Sequence, residues 1–116
     1  MLARCPFDEG SLAGAVRPET TFARDDFRRD YFRGDRKQQV WERAGKIRAI
    51  LDDYAASLAD AALRFCLSHP AVSTVIPGMR TARHAEENCA ASDRGPLHPD
   101  FLRQLQEHRW LRNFYA

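Results

Sequence analysis

The sequence lacks the features that mark membrane, secreted and strongly charged proteins. No apolar run approaches the ~18 residues that a membrane span requires. The N-terminus lacks the charged, apolar and small-residue succession of a signal peptide. The 18 basic and 16 acidic residues leave a net charge of only +2, which gives little attraction for a polyanion. We therefore expect a cytoplasmic protein with no membrane partner and no nucleic-acid partner.

The sequence also has little cysteine and none of the common catalytic signatures. Cys5, Cys66 and Cys89 are odd in number, unclustered and set in apolar or helical surroundings, which favours reduced, buried thiols. There is no Cys-x-x-Cys, no Gly-x-Ser-x-Gly and no P-loop lysine pattern. His84 and Glu87, near Cys89, are too few ligands on one helix for a metal. We predict no metal site.

Residues 15–34 contain a run that superficially resembles a nucleic-acid binding segment. Between residues 24 and 33, arginines alternate with Phe27, Tyr31 and Phe32, and aromatic and cationic side chains together bind single strands. The segment contains nearly as many acidic residues as arginines, which cancels the attraction of the arginines for a nucleic acid. We interpret 15–34 as a solvated surface loop whose aromatic side chains pack against the fold.

What is present is the composition of one modest globular domain in which strands and helices alternate. Hydrophobic residues make up 44% of the 116 residues and charged residues 29%, which excludes a disordered chain. Apolar residues at spacings of three and four, N-cap residues and proline positions delimit the elements. We predict a strand within 1–7, helices over 35–54 and 57–70, a strand over 71–76, and helices over 81–91 and 99–108.

The remaining elements are arranged around the stretch 72–88. It begins with a β-branched run that is typical of a strand buried on both faces. Pro77 and Gly78 end this strand, since proline cannot donate to a ladder and glycine permits unusual backbone angles. Thr81 is a good N-cap for the residues that follow. The stretch therefore reads as strand, tight turn and helix N-terminus.

A helix N-terminus at this position favours an anion. It presents unpaired N–H groups and the positive end of the helix dipole, which together suit phosphate. Arg80 and Arg83 add positive charge there. A phosphate or nucleotide site is therefore predicted, and the alternative is an ordinary βα turn whose arginines face water.

Three segments resemble the aldo-keto reductases. Val-Ile-Pro-Gly at 75–78, followed by Glu-Glu-Asn at 86–88, resembles the family's last βα unit, which holds the adenosine 2′-phosphate end of NADPH. Residues 6–14 resemble the loop after the seventh barrel strand, which passes over the cofactor pyrophosphate. Residues 61–65 lead through Pro70 to the next strand as the family's seventh helix does. The resemblance extends from about Arg4 to Tyr115.

The resemblance implies an α/β fold that forms part of a TIM (β/α)8 barrel, namely its last two βα units and a C-terminal helix. A complete barrel needs roughly 250 residues. The expected organisation is a strand and pyrophosphate loop (1–14), a loop (15–34), helices (35–70), a strand and 2′-phosphate helix (71–92), and a final helix with its tail (97–116). The cofactor-binding residues that it implies are Pro6, Phe7, Gly10, Ser11, Leu12, Ile76, Pro77, Gly78, Met79, Arg80, His84, Glu87 and Asn88.

The family's catalytic residues have no counterpart in this sequence. The resemblance implies reduction of carbonyls to alcohols with NADP(H), by an Asp, Tyr, Lys and His that lie earlier in the barrel. None of the tyrosines or lysines here falls in a matching motif: Tyr31, Tyr54, Tyr115, Lys37 and Lys46. Many members place Lys or Arg where Gly78 stands and Arg where His84 stands, which leaves the choice between NADPH and NADH open.

Two functional interpretations follow. In the first, the chain is the C-terminal cofactor-binding part of an NADP(H)-dependent reductase of small carbonyl substrates, completed by an N-terminal chain. In the second, it is a truncated, non-catalytic remnant that oligomerises or binds a nucleotide weakly. Either way we expect weak or absent NADP binding by the isolated chain. We also expect a homo-oligomer formed through the unpaired edges of the strands at 2–7 and 72–76.

The aromatic tail, formed by Trp110, Phe114 and Tyr115, has two interpretations. In the family such tails fold over the substrate mouth. The alternative is a hydrophobic clamp on the last helix.

Overall fold

Strands and helices alternate along the chain in the computed structural model, which describes residues 1–116. The two strands are β1 (Leu2–Arg4) and β2 (Thr74–Ile76). A 3₁₀ turn covers Ser11–Ala13. The helices are α1 (Arg28–Tyr31), α2 (Arg36–Arg48), α3 (Leu58–Leu67), α4 (Ala82–Arg94) and α5 (Pro99–Gln106).

The two strands are parallel neighbours, as expected of adjacent βα units. Leu2 pairs with Thr74 and Arg4 with Ile76. Both strands are shorter than predicted. Strand β1 ends at Arg4 because Cys5, the next residue, has a left-handed backbone with φ of 51°, which turns the chain out of the ladder.

The prediction that β2 is buried on both faces is wrong. Ile76 is 54% exposed, and Leu2 on β1 is 61% exposed. The sheet has only these two strands, so one edge of each strand has no backbone partner. Apolar side chains and unpaired strand edges therefore lie together on one side of the molecule.

Most of the core lies between helices rather than on the sheet. We call the cluster between α2, α3 and α5 the helical core; its buried members are Ala44, Leu51, Leu58, Ala61, Leu97 and Phe101. We call the second cluster the aromatic core; it consists of Val16, Tyr31, Phe32, Val40 and Phe114. The aromatic core joins α1 and α2 to the end of the chain.

A buried ion network fixes α4 against α3. The Asp60 carboxylate accepts a bond of 2.5 Å from Arg94 Nη1 and one of 3.3 Å from Arg64 Nη1. Arg64 Nε also donates to the Gly95 carbonyl over 2.8 Å. Because the charges are paired and hydrogen-bonded, their burial is tolerated, and loss of one partner would leave an uncompensated charge. The network sets the position of α4 against the rest of the fold.

Helix caps agree with the residues that the sequence suggested. Ser57 Oγ accepts the N–H of Asp60 over 3.0 Å, and the Asp60 carboxylate accepts the N–H of Ala56 over 3.0 Å. This resembles a capping box whose return bond reaches one residue further back. Pro99 occupies the first turn of α5, which has His98 as an unforeseen N-cap.

Several expected element boundaries are wrong. The 15–34 segment, expected to be a loop, contains α1. Helix α2 ends at Arg48 rather than near Tyr54, because Asp52 takes a φ of 45° in the turn that follows. Helix α4 continues through Arg94 to a cap at Gly95, beyond the turn expected from Ser92. In the last case the ion pair of Arg94 with the buried carboxylate of α3 extends the helix.

The cysteines are less buried than expected. Cys5 and Cys89 are exposed and Cys66 is partly buried, and all three are free thiols. Burial raises the pKa of the Cys66 thiol. Cys5 is exposed because no element packs over the end of β1.

Two further findings concern a membrane and a metal ion. None of the helices combines the length and the apolar character that crossing a membrane demands. No group of three or more His, Cys, Asp or Glu side chains comes together as metal ligands would.

Candidate functional site

A cleft of about 770 Å³ opens at the end of the two strands. Pockets of this size are typical of small-molecule and cofactor sites. One side, which we call the loop wall, is the segment 5–14 after β1. The opposite side, which we call the helix wall, is the segment 76–88 after β2. The lining residues from the two walls are Cys5, Pro6, Phe7, Glu9, Gly10, Ile76, Pro77, Gly78, Met79, Arg80 and His84.

The helix wall is built by the cap of α4. Thr81 Oγ1 accepts the N–H of His84 over 3.1 Å, so Thr81 is the N-cap that the sequence predicted. The amides of Ala82 and Arg83 form no hydrogen bond. These free N–H groups and the positive end of the dipole point out of the first turn of α4, where an anion is stabilised.

Arg80 provides a free positive charge beside this helix end. Its side chain is exposed, lines the cleft and forms no ion pair. Its backbone N–H donates to Nδ1 of His84 over 3.5 Å, which brings the imidazole to the same side of the turn. The Arg80 charge also contributes to the lowered pKa of Asp26 across the cleft. The guanidinium is thus available to a ligand.

At the turn, the absence of a side chain at Gly78 leaves empty space, and the backbone conformation does not depend on glycine. Its φ lies outside the left-handed region, and a Cβ added there would meet no atom within 4 Å. Glycine is therefore not required by the backbone. A ligand or a longer side chain could occupy the space next to it.

Glu87 and Asn88 hold the helix wall rather than line the cleft. Arg83 Nε donates to Glu87 Oε1 over 2.8 Å on the exposed face of α4. Asn88 Nδ2 reaches back to the Gly78 carbonyl over 3.4 Å. Both were expected to contact a cofactor, which stays a prediction; neither lines the cleft, and Glu87 is paired with Arg83.

The loop wall is folded tightly on itself. The Phe7 carbonyl accepts the N–H groups of Gly10 and Leu12, over 3.1 and 2.9 Å. Gly10 has φ of 103°, a conformation that strongly favours glycine. Pro6, Phe7 and Gly10 thereby line the same cleft as the helix wall.

Two of the expected cofactor residues on the loop wall point away from the cleft. Ser11 is 4% exposed, and its hydroxyl donates to the Asp8 carbonyl over 2.9 Å. Leu12 lines a separate apolar cavity of about 370 Å³ against α3 and α5. The 3₁₀ turn directs both side chains inward; that the backbone at these residues approaches a pyrophosphate, as the resemblance implies, stays a prediction.

Sequence reasoning missed three residues that line the same cleft, namely Asp26, Phe27 and Arg28. Arg28 donates to both Asp26 oxygens, with a shortest distance of 2.6 Å. These bonds, and more weakly the charge of Arg80, hold the pKa of Asp26 below its usual value. The pair of Asp26 and Arg28 could not be singled out among the mixed charges at 24–33, because nothing in the local sequence shows that the start of α1 faces the cleft.

The tyrosines and lysines do not form an acid–base pair. The Tyr31 hydroxyl donates to Asp8 Oδ1 over 2.5 Å, and burial raises the pKa of Tyr31 to about 12. A hydrogen bond to Glu9 raises the pKa of Tyr115 to about 12. Lys37 donates to the Thr20 carbonyl over 2.6 Å, and no hydrogen bond joins a tyrosine to a lysine. The tyrosines and lysines therefore form no tyrosine–lysine pair for proton transfer, and the charged groups of the cleft can bind an anion.

The aromatic tail, Trp110 to Tyr115, differs from both of its expected positions, over a substrate mouth and as a clamp on the last helix. Phe114 is buried in the aromatic core against Tyr31, with ring centroids 5.4 Å apart. It thus packs on α1 and α2, not on the last helix. Tyr115 is exposed, and its hydroxyl donates to Glu9 Oε1 over 2.7 Å, at the rim of the loop wall.

Comparison with known proteins shows a similarity to one protein family. A sequence model described as the aldo/keto reductase family matches residues 1–109, which is nearly the whole chain. No curated protein matches the sequence.

Proposed function

The chain belongs to the aldo/keto reductase family, whose members are oxidoreductases, and we propose that its cleft binds the adenosine-phosphate end of NADP(H). In this proposal the chain is the C-terminal cofactor-binding part of an enzyme that reduces carbonyl groups to alcohols. The family generally uses NADP(H) and small carbonyl substrates.

One observation supports the proposal most directly. The side chain of Arg80, which forms no ion pair, lies beside the N-terminus of α4, in a cleft large enough for part of a cofactor. Ala82 and Arg83 supply N–H groups without partners, and Arg80 supplies an unpaired charge. A phosphate monoester is a good ligand for this combination, because helix N-termini and guanidinium groups both stabilise its oxygens. The space beside Gly78 allows the ligand to approach the backbone.

The proposed orientation follows from the two walls. The 2′-phosphate lies at Arg80 and His84, and the pyrophosphate passes along the loop wall, where the N–H groups of Phe7 and Glu9 have no hydrogen-bond partner. Bound NADP(H) would supply the hydride for carbonyl reduction; the residues of this chain only bind and orient its adenosine half. Because the nicotinamide end finds few contacts here, we expect weak affinity for the chain alone.

The binding proposal can be tested by following backbone amide signals during titration with NADP⁺. The amides of Gly78, Arg80 and Arg83 should shift in a saturable manner, and NAD⁺, which lacks the 2′-phosphate, should shift them less. Shifts confined to other parts of the chain, or equal responses to the two nucleotides, would contradict the proposed orientation.

The proposal also limits what the isolated chain can do. No residue here lies in the family's Tyr and Lys motifs, and Tyr31 is buried against Asp8. We expect no reduction of 4-nitrobenzaldehyde with NADPH above background. Steady turnover that is abolished by a substitution within this chain would show that it contains its own catalytic groups.

A second function, self-association, is favoured by the exposed side of the sheet. The free edges belong to β1 and β2, which carry the exposed side chains of Leu2 and Ile76. Unpaired edges and contiguous apolar side chains promote association, and a two-stranded sheet is marginally stable alone. We propose a homo-oligomer at micromolar concentration, or association with a chain that supplies further strands. Light scattering that shows a folded monomer with protected amides in β1 would exclude self-association.

A further inference from the structure

The loop wall contains a cluster of unfavourable backbone conformations. Cys5, Asp8 and Glu9 have left-handed φ values of 51°, 52° and 58°. Residues with a Cβ rarely adopt this region, because the Cβ approaches the following carbonyl oxygen. Such conformations persist only where the surroundings impose them. The hydrogen bonds within the loop are therefore supplemented by contacts with other parts of the chain.

The end of the chain contacts two of these three residues through side chains. Arg112 forms an ion pair with the Asp8 carboxylate, and both side chains are largely buried. Tyr115 donates its hydroxyl to Glu9 Oε1 over 2.7 Å. Tyr31 completes the arrangement, since its hydroxyl donates to Asp8 and accepts from Arg112 Nη1 over 3.2 Å.

The end of the chain is itself fixed independently of the loop. The Phe114 ring is 7% exposed in the aromatic core. Arg36 Nη1 donates to the Phe114 carbonyl over 2.9 Å, and Arg33 Nη2 to the Ala116 carbonyl over 3.0 Å. Residues 110–116 are thus anchored on α1 and α2, and from that anchor they reach across to the loop wall.

We propose that residues 110–116 form a strap that holds the loop wall in its strained, cleft-lining conformation, with Arg112 and Tyr115 as its attachment points. Both act as positioning residues, since neither lines the cleft. The consequence for ligand binding rests on the proposed function: the strap presents the free N–H groups of Phe7 and Glu9 to a pyrophosphate. It has no contact with the helix wall and should not affect a ligand bound only there.

Hydrogen exchange tests the strap without any ligand. The amides of Gly10, Leu12 and Ala15, which are bonded within the loop, should exchange about tenfold faster or more in Arg112→Gln, since a charge-assisted bond is lost. Tyr115→Phe, at an exposed residue, should give a smaller effect in the same segment. Arg112→Lys should restore part of the protection. Arg103→Gln is the matched control, because Arg103 pairs with Asp100 on the exposed face of α5 and has no bond to the loop.

The outcomes of this experiment are distinct. Faster exchange confined to the loop in the Arg112 and Tyr115 variants, with α3 unchanged, supports the strap. Wild-type exchange of the loop in both variants overturns it, and so does an equal increase across the whole chain, which would indicate general destabilisation.

A paired titration connects the strap to the cleft. Arg112→Gln should weaken NADP⁺ binding severalfold while leaving adenosine 2′,5′-bisphosphate, which has no pyrophosphate, near its wild-type affinity. Equal weakening of both ligands, or of neither, would overturn the positioning role. If the wild-type chain binds neither ligand, the proposed cofactor function fails, and the exchange experiment still decides whether the strap exists.

Discussion

The two walls of the cleft face each other but are held in different ways. The helix wall follows from short-range features: Pro77 ends the strand, Thr81 caps α4, and Asn88 returns to the turn. Its side chains are largely exposed. The loop wall depends on contacts with the far end of the chain, 104 residues away at Arg112 and 106 at Tyr115. Short-range sequence features thus determine the conformation of the helix wall, whereas the loop wall also depends on tertiary contacts.

This difference predicts that only the loop wall depends on the aromatic core. Phe114→Ala should reduce the free energy of unfolding by about 3 kcal/mol, through loss of a buried ring and the cavity that remains. Met79→Ala, at an exposed residue of the helix wall, should change it by about 0.5 kcal/mol or less. Urea denaturation of both variants gives these values. Similar losses in the two variants would contradict the comparison.

The same contrast applies to two glycines that the sequence does not distinguish. Gly10→Ala should destabilise the fold by about 1–2 kcal/mol, because alanine is unfavourable at φ of 103°. Gly78→Ala should stabilise it by roughly 0.4–1 kcal/mol, because the backbone there suits any residue and the unfolded chain loses freedom. Thermal unfolding of the pair decides the matter, and a loss of stability in Gly78→Ala would show that the turn needs glycine after all.

What could be predicted from the sequence follows the same division. Thr81, Ser57 and Pro99 mark helix ends by local chemistry, and the structure has them as such. The inward direction of the Ser11 and Leu12 side chains could not be predicted, because it depends on how the 3₁₀ turn packs against α2 and α3. Strand burial was overestimated for a similar reason: composition cannot show which faces the rest of the chain leaves uncovered.

Alkaline titration tests the two tyrosines that bond the loop wall, Tyr31 in the aromatic core and Tyr115 in the strap. The pKa values of Tyr31 and Tyr115 are each raised from 10.0 to about 12, by burial and by the hydrogen bond to Glu9 respectively. Because the folded values exceed the unfolded value, this contribution to stability is complete below pH 10 and is lost as the pH rises through about 12. The unfolding free energy of the wild type should therefore fall more steeply in this range than that of a Tyr31→Phe/Tyr115→Phe variant. Parallel profiles would contradict these raised pKa values.

The central claim is that the helix wall binds the phosphate-bearing end of NADP(H), and calorimetric titration with adenosine 2′,5′-bisphosphate at low salt tests it most directly. Arg80→Gln should weaken binding by about 1–3 kcal/mol, the scale of a charge-assisted hydrogen bond. Arg103→Gln, which removes an exposed charge on α5 outside the cleft, should bind as the wild type does. No binding by the wild type, or equal binding by wild type and Arg80→Gln, would contradict the account.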